Sequence, residues 1–247
     1  MNMRKSLTMN LLKKEKIGNK RKITLFGFLK ISYKKHNDEK HQKIIITDEG
    51  KNNSINGLNP LQYQVFGDGK IIIKGNNTHL NVGEKPNFNN FHLEIWGDNV
   101  LIDIGNNPSF NNVYAVFSGN KDLTSKISIG DNFWNTDDLQ IFGGGNKNMD
   151  IEIGNDCMFA RRIAIYAHDG HNIYNGTTNE IINIPKNSLK IGNHVWVGHG
   201  VHISKGSIIE DNSIIGMGSV VAGKFEKGVI IAGNPAKKIR ENINWSK

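Results

Sequence analysis

The sequence predicts an all-β chain wound as a parallel β-helix, and three observations predict it. Branched aliphatic residues recur at every sixth position in Ile191, Val197, Ile203, Ile209, Ile215 and Val221. Two residues before each rung after the first stand Val195, Val201, Ser207, Ser213 and Ser219, again six apart. An aliphatic-Gly pair recurs as Val82-Gly83, Ile104-Gly105, Ile129-Gly130, Ile153-Gly154 and Ile191-Gly192, at intervals of 22, 25, 24 and 38 residues. A period of six is neither the 3.6 of a helix nor the alternation of a lone strand. It is a hexapeptide repeat, in which a short strand forms one face of a prism and the chain then turns a corner. Three faces make a coil of about 18 residues, and the aliphatic rung points inward onto neighbouring coils.

The elements follow in chain order. Residues 1–60 lack the repeat and read as an N-terminal basic extension. Within it residues 9–22 suit a basic helix, 23–33 and 43–47 suit short strands, and 52–60 form a turn-rich connector. Residues 61–225 form the β-helix. The 38-residue interval exceeds one coil by about 20 residues, so the prism expels a loop at about 167–187, and long loops in compact repeats tend to be functional. Residues 226–247 form a tail. There Ala232-Gly233-Asn234-Pro235-Ala236 is a turn, with the proline placed to open a short helix.

Composition narrows the function. The abundant Gly (27 residues) and Asn supply corners that need positive φ. The single cysteine, Cys157, excludes an internal disulfide and fits a reducing cytoplasm; it reads as a small core residue rather than a catalytic thiol. No apolar run reaches the roughly 20 residues of a membrane span, and the N-terminus lacks a secretory cleavage pattern. A cytoplasmic location, peripheral at the inner membrane face, is expected. The net charge of +8 is uneven: residues 1–43 hold 13 Lys+Arg against 3 Asp+Glu. That segment is either a solvated face or a contact for an anionic polymer or membrane surface. No recognised motif supports nucleic acid.

The ladder, a histidine in the expelled loop, Asn193-His194-Val195-Trp196-Val197-Gly198, Gly216-Met217-Gly218-Ser219-Val220-Val221 and Ala232-Gly233-Asn234-Pro235-Ala236-Lys237 together resemble the left-handed β-helix acyltransferases. Asp156 to Ala160, His171 to Tyr174 and Glu241 to Trp245 make the bacterial capsular polysialic acid O-acetyltransferases the nearest likeness. The resemblance covers roughly residues 150–245. It implies a homotrimer, acetyl-CoA as co-substrate, no metal, and acetylation of a surface-glycan hydroxyl, with sialic acid of a capsule leading. Another sugar, of an O-antigen, a wall polymer or a nucleotide sugar, and N- rather than O-acetylation stay open.

By that resemblance His171 is the general base, a role suited to imidazole near neutrality, and His168 is its competitor or a substrate contact. Asp169 either orients the imidazole or is a turn residue. Trp196 shapes the acetyl pocket or packs between subunits, and Tyr166 and Tyr174 are expected at the acceptor. Backbone N–H groups near His199 are expected to bind the oxyanion. The pantetheine arm is assigned to Gly198, Met217, Gly218 and Ala222, and the CoA phosphates to Lys205, Lys224, Lys237 and Arg240. Two other classes compete: a metal hydrolase using His194, His199 and His202, and a glycan-binding solenoid without catalysis.

Overall fold

The computed structural model describes Lys13–Ile17, Lys20–Leu25, Phe28–Lys30 and residues 44–58, 64–66 and 69–246. The parallel β-helix expected from the repeat, with the left hand implied by the resemblance, is the fold. An 8-stranded parallel sheet forms the first face, running from Ser54–Asn56 through Leu189–Ile191 to Lys224–Phe225. A second sheet bends across the other two faces. Trp196–Val197 and Ile214–Ile215 lie on the second face, and His202–Ser204 and Val220–Val221 on the third.

The repeat sets the register. Ile104 pairs with Ile129, Ile129 with Ile153, Ile153 with Ile191, and Ile191 with Ile209. Hydrogen bonds between stacked coils span 25, 22, 25, 24, 38 and then 18 residues. The prism is thus wide first and narrow last, and its filling changes accordingly. Phe88, Phe110, Phe133 and Phe159 stack through the wide coils with centroids 5.8, 5.3 and 5.0 Å apart. The narrow coils hold Ile and Val rungs beside fully buried Ser207, Ser213 and Ser219. The hydroxyls of Ser207 and Ser219 donate to the carbonyls of Val221 and Gly216, at 3.1 and 2.6 Å, which removes the cost of burying them.

Between the first and second faces the corners repeat one device. Gly105 N–H donates to Ile129 O, Gly130 to Ile153 and Gly154 to Ile191. Each following amide donates to an Asn or Asp side chain one coil on: Asn106 to Asp131, Asp131 to Asn155, Asn155 to Asn193 and Asn193 to Asp211, at 2.6–2.8 Å. A Cβ on Gly154 would lie 2.7 Å from Asn193 N, so the close approach requires glycine. Two residues past each glycine the chain turns through positive φ, at Asn107, Asn132, Asp156 and His194.

Three expectations are corrected. Among the described residues of 9–22 there is no helix: Lys13–Ile17 and Lys20–Leu25 pair antiparallel, and residues 9–12 and 18–19 lie outside the described residues. The prism begins before residue 61, because Ile44–Asp48 already pairs in parallel with Gly69–Lys74, and Ser54–Asn56 with His79–Val82. The helical tail is also absent. Ile230–Gly233 continues the ladder, and Ala236–Arg240 folds back antiparallel onto it. Buried Ile231 keeps the chain in the coil, and the return strand satisfies backbone groups that the last edge would leave open. Replacing Phe133 with Ala, between two ring neighbours and fully buried, is expected to cost about 3–5 kcal/mol in denaturant melting.

Candidate active site

The expelled loop leaves after Met158–Tyr166, a strand that ends on the third face, and rejoins at Leu189–Ile191 on the first. It carries a small antiparallel turn: Tyr174 bridges Ile181, and Ile182 N–H donates to Ile173 O at 2.8 Å. Ile173, Tyr174, Ile181, Ile182 and Ile184 are 40–60% exposed, so apolar burial does not hold the loop. Polar contacts do. Lys205, at the equivalent corner of the next coil, donates from Nζ to Asp169 Oδ2, and to Asn183 O at 2.7 Å. Asn183 Nδ2 donates to Asp169 Oδ2 (2.7 Å) and to His171 O (2.8 Å), and its Oδ1 accepts the Ile173 N–H (2.9 Å). At the far end Asn148 Nδ2 reaches the carbonyl of buried Pro185.

This geometry separates the two loop histidines. His168 is half-buried, its Nδ1 accepts the Gly170 N–H at 3.0 Å, and burial pushes its pKa down. A ring nitrogen that accepts a backbone N–H is unprotonated, so neutral His168 carries its proton on Nε2 and presents a donor there. His171 is exposed, and its ring has no partner among the described residues. Of the two, His171 keeps a ring lone pair without a partner among the described residues. Asp169 does not orient it: that carboxylate is held by Lys205 and Asn183, which lower its pKa. Asn183 gave no signal in the sequence, since a lone Asn in an apolar stretch has no recognisable spacing to the residues it ties.

The expected cofactor residues divide between two corners. Gly198, His199, Met217 and Gly218 occupy the corner between the second and third faces. Lys205 and Ala222 lie at the corner between the third and first, with Lys224 just beyond it on the first face. At the former corner the backbone is open: a Cβ on Gly200 or Gly218 would meet nothing within 4 Å, and Met217 is 78% exposed. The amides of Gly198 and Gly200 donate to Ile215 and Arg161 carbonyls, while that of His199 has no partner among the described residues. That N–H is available to a developing oxyanion, and the open corner suits an extended amide-bearing arm. Lys205, expected among the phosphate contacts, is engaged by the loop through Asp169 and the Asn183 carbonyl. Lys224 Nζ reaches Asn187 Oδ1, at 3.4 Å, and Lys237 and Arg240 project from the return strand, exposed.

Trp196 lies on the second face, across the prism from the corner where the loop departs. It is 39% exposed and sits 6.0 Å from Trp245, whose ring stacks on His194 at 4.0 Å. No contact joins Trp196 to His171. Tyr166, at the loop's root, stacks on Phe142 (4.9 Å) and extends an outward column through Tyr114 to His92 on the third face. Tyr174 is half-exposed on the loop hairpin. His194, His199 and His202 fall on different corners and faces, and among the described residues no three His, Cys, Asp or Glu side chains converge.

Cys157 is fully buried, with Sγ donating to Gly192 O at 3.1 Å, and burial pushes its pKa up to about 12. Native protein is expected to resist thiol reagents at neutral pH and to react only when unfolded, which a labelling time course checks. Asp169 has its folded pKa lowered below 3.8. Its ion pair therefore contributes at higher pH and is lost only as pH falls through that lowered value. A carboxyl NMR titration should place its midpoint below those of unpaired aspartates.

Residues 188–223 match the family model described as bacterial transferase hexapeptide (six repeats). The chain is 36% identical over 97 residues to a polysialic acid O-acetyltransferase of Escherichia coli O1:K1 / APEC, a match covering 39% of this chain and 31% of that protein. It is 34% identical over 119 residues to galactoside O-acetyltransferase of Escherichia coli K12, covering 47% and 55%. The chain thus spans less than two thirds of these curated relatives. In structure it is similar to the polySia specific acetyltransferase NeuO, with a TM-score of 0.57, 23% identity, and coverage of 83% of this chain and 82% of that one. The chain has the left-handed β-helix fold of that solved protein, and the family match falls on its regular narrow coils.

Proposed function

We propose that the protein is an acetyl-CoA-dependent O-acetyltransferase that acetylates a hydroxyl of a bacterial surface glycan, with capsular sialic acid as the leading acceptor. The observation that carries this is His171: an exposed imidazole without a partner among the described residues, on a loop braced by polar contacts. Acetyl-CoA supplies the activated thioester. His171 removes the sugar hydroxyl's proton as the oxygen attacks the thioester carbon, and the His199 N–H stabilises the negative charge that develops; the adduct then collapses with cleavage of the C–S bond, and CoA leaves as the thiol with the proton returned from His171. Gly198, Met217 and Gly218 hold the pantetheine arm, and Lys224, Lys237 and Arg240 face the phosphates. His168 donates through Nε2 to the acceptor, with Tyr166 and Tyr174 beside it. No serine or cysteine nucleophile takes part.

The placement of Trp196 supports a homotrimer. The loop corner and the second face point away from each other within one chain, so a site using both His171 and Trp196 draws them from neighbouring copies. The excess positive charge of residues 1–43 supports contact with an anionic polymer or the inner membrane surface, from the cytoplasm. A second acceptor class, a galactoside or another sugar outside the capsule, is supported by comparable identity to galactoside O-acetyltransferase.

Thiol release from acetyl-CoA, measured over polysialate, free sialic acids, hexosamine polymers, galactosides and small amines, tests the reading. Acceptor-dependent release is expected, and His171→Ala is expected to lower it by about 10²–10⁴-fold. A loss below about tenfold would remove His171 as the base. No release with any acceptor, from folded protein that also fails to bind CoA, would leave a glycan-binding solenoid.

A further inference from the structure

We infer that Lys205 is a positioning residue for His171, acting through a polar clasp with Asp169 and Asn183 rather than through the cofactor. This rests on the reading of His171 as the base. Lys205 stands at the turn after His202–Ser204 in a regular coil, where the ladder fixes its backbone. Its ammonium has three donors, and two are used within the chain, on Asp169 and on the Asn183 carbonyl. Asp169 also takes the Asn183 side-chain amide, and that same amide holds the carbonyl of His171. The other end of the Asn183 side chain takes the N–H of Ile173.

The peptide path on the C-terminal side of His171 is therefore pinned between two bonds to one asparagine. That asparagine is pinned in turn to the coil by one lysine. Between His171 and Ile184 the loop's large apolar side chains, Ile173, Tyr174, Ile181, Ile182 and Ile184, are exposed and give no competing anchor there. The pair is only partly solvated, with side chains 24% and 35% exposed, so solvent screens it less than an open surface pair. A base on a tether this exposed needs its backbone fixed, because small misplacements lower rates steeply.

The test compares Lys205→Met, Asp169→Asn, the double variant and Lys205→Arg with wild type. The readouts are kcat at saturating CoA and acceptor, CoA affinity by calorimetry, and amide exchange across residues 170–183. Thermal melting identifies any variant that fails to fold. Each single loss is expected to lower kcat about tenfold or more and to leave CoA affinity within about twofold. It should also speed exchange at the Ile173 and Ile182 amides. The double variant should be no slower than the worse single one, since the partners act as a unit, and Lys205→Arg should recover part of kcat.

Weaker CoA binding by about tenfold with wild-type kcat in Lys205→Met would make Lys205 a phosphate contact and overturn the clasp. Unchanged exchange in both single variants would overturn it too. If wild type releases no thiol with any acceptor, the acetyl-transfer reading fails by itself, and exchange in the same variants still decides whether the clasp holds the loop.

Discussion

Each coil must offer its corner amides to the next coil at close range, and the rest of the structure depends on that stacking. The glycines let the chain approach, and the Asn and Asp side chains accept the amides that the ladders do not reach. Residues in positive φ then turn the chain onto the next face. Because the ladders run along faces, an insertion is tolerated only at a corner. The loop obeys this: Tyr166 still pairs with Ser204 and Ile153 with Ile191, so the strands on either side of the insertion keep their register.

The site inherits its character from that constraint. A loop expelled from a corner cannot bury its apolar residues in the prism, whose interior is already filled. It is held by charge and hydrogen bonds instead, and the nearest anchor is the same corner one coil later. The remaining site residues are dealt out to a different corner and a different face, since six-residue spacing places successive turns around the prism. Within one chain these residues therefore do not meet at a single point.

The regular coils were legible because one inward residue per six is a constraint that sequence expresses directly. Ile191 to Val221 and the stacked Gly corners occupy the places the period assigned. The wide coils were less legible: their corners were marked, but Asn-rich turns blurred the start of the prism, and Ser54–Asn56 was read as a connector. The tail misled because proline after a glycine turn suits a helix start, whereas the open edge of the last coil decided the outcome. In the site, His171 was reachable by likeness of sequence. The tie from Lys205 through Asp169 to Asn183 was not, because residues 14 and 36 apart are joined only by the coil stacking.

The change from wide, phenylalanine-filled coils to narrow, serine-lined ones has a consequence for fidelity. A stack of identical coils is degenerate: the chain slipped by one repeat would satisfy nearly the same ladders. Here a slip would drive Phe159 into a section sized for Val and Ser, or leave a void where Phe133 belongs. Cross-section therefore acts as an address, giving each coil one berth along the axis. A chain built from near-repeats gains from its irregular half the uniqueness that its regular half lacks.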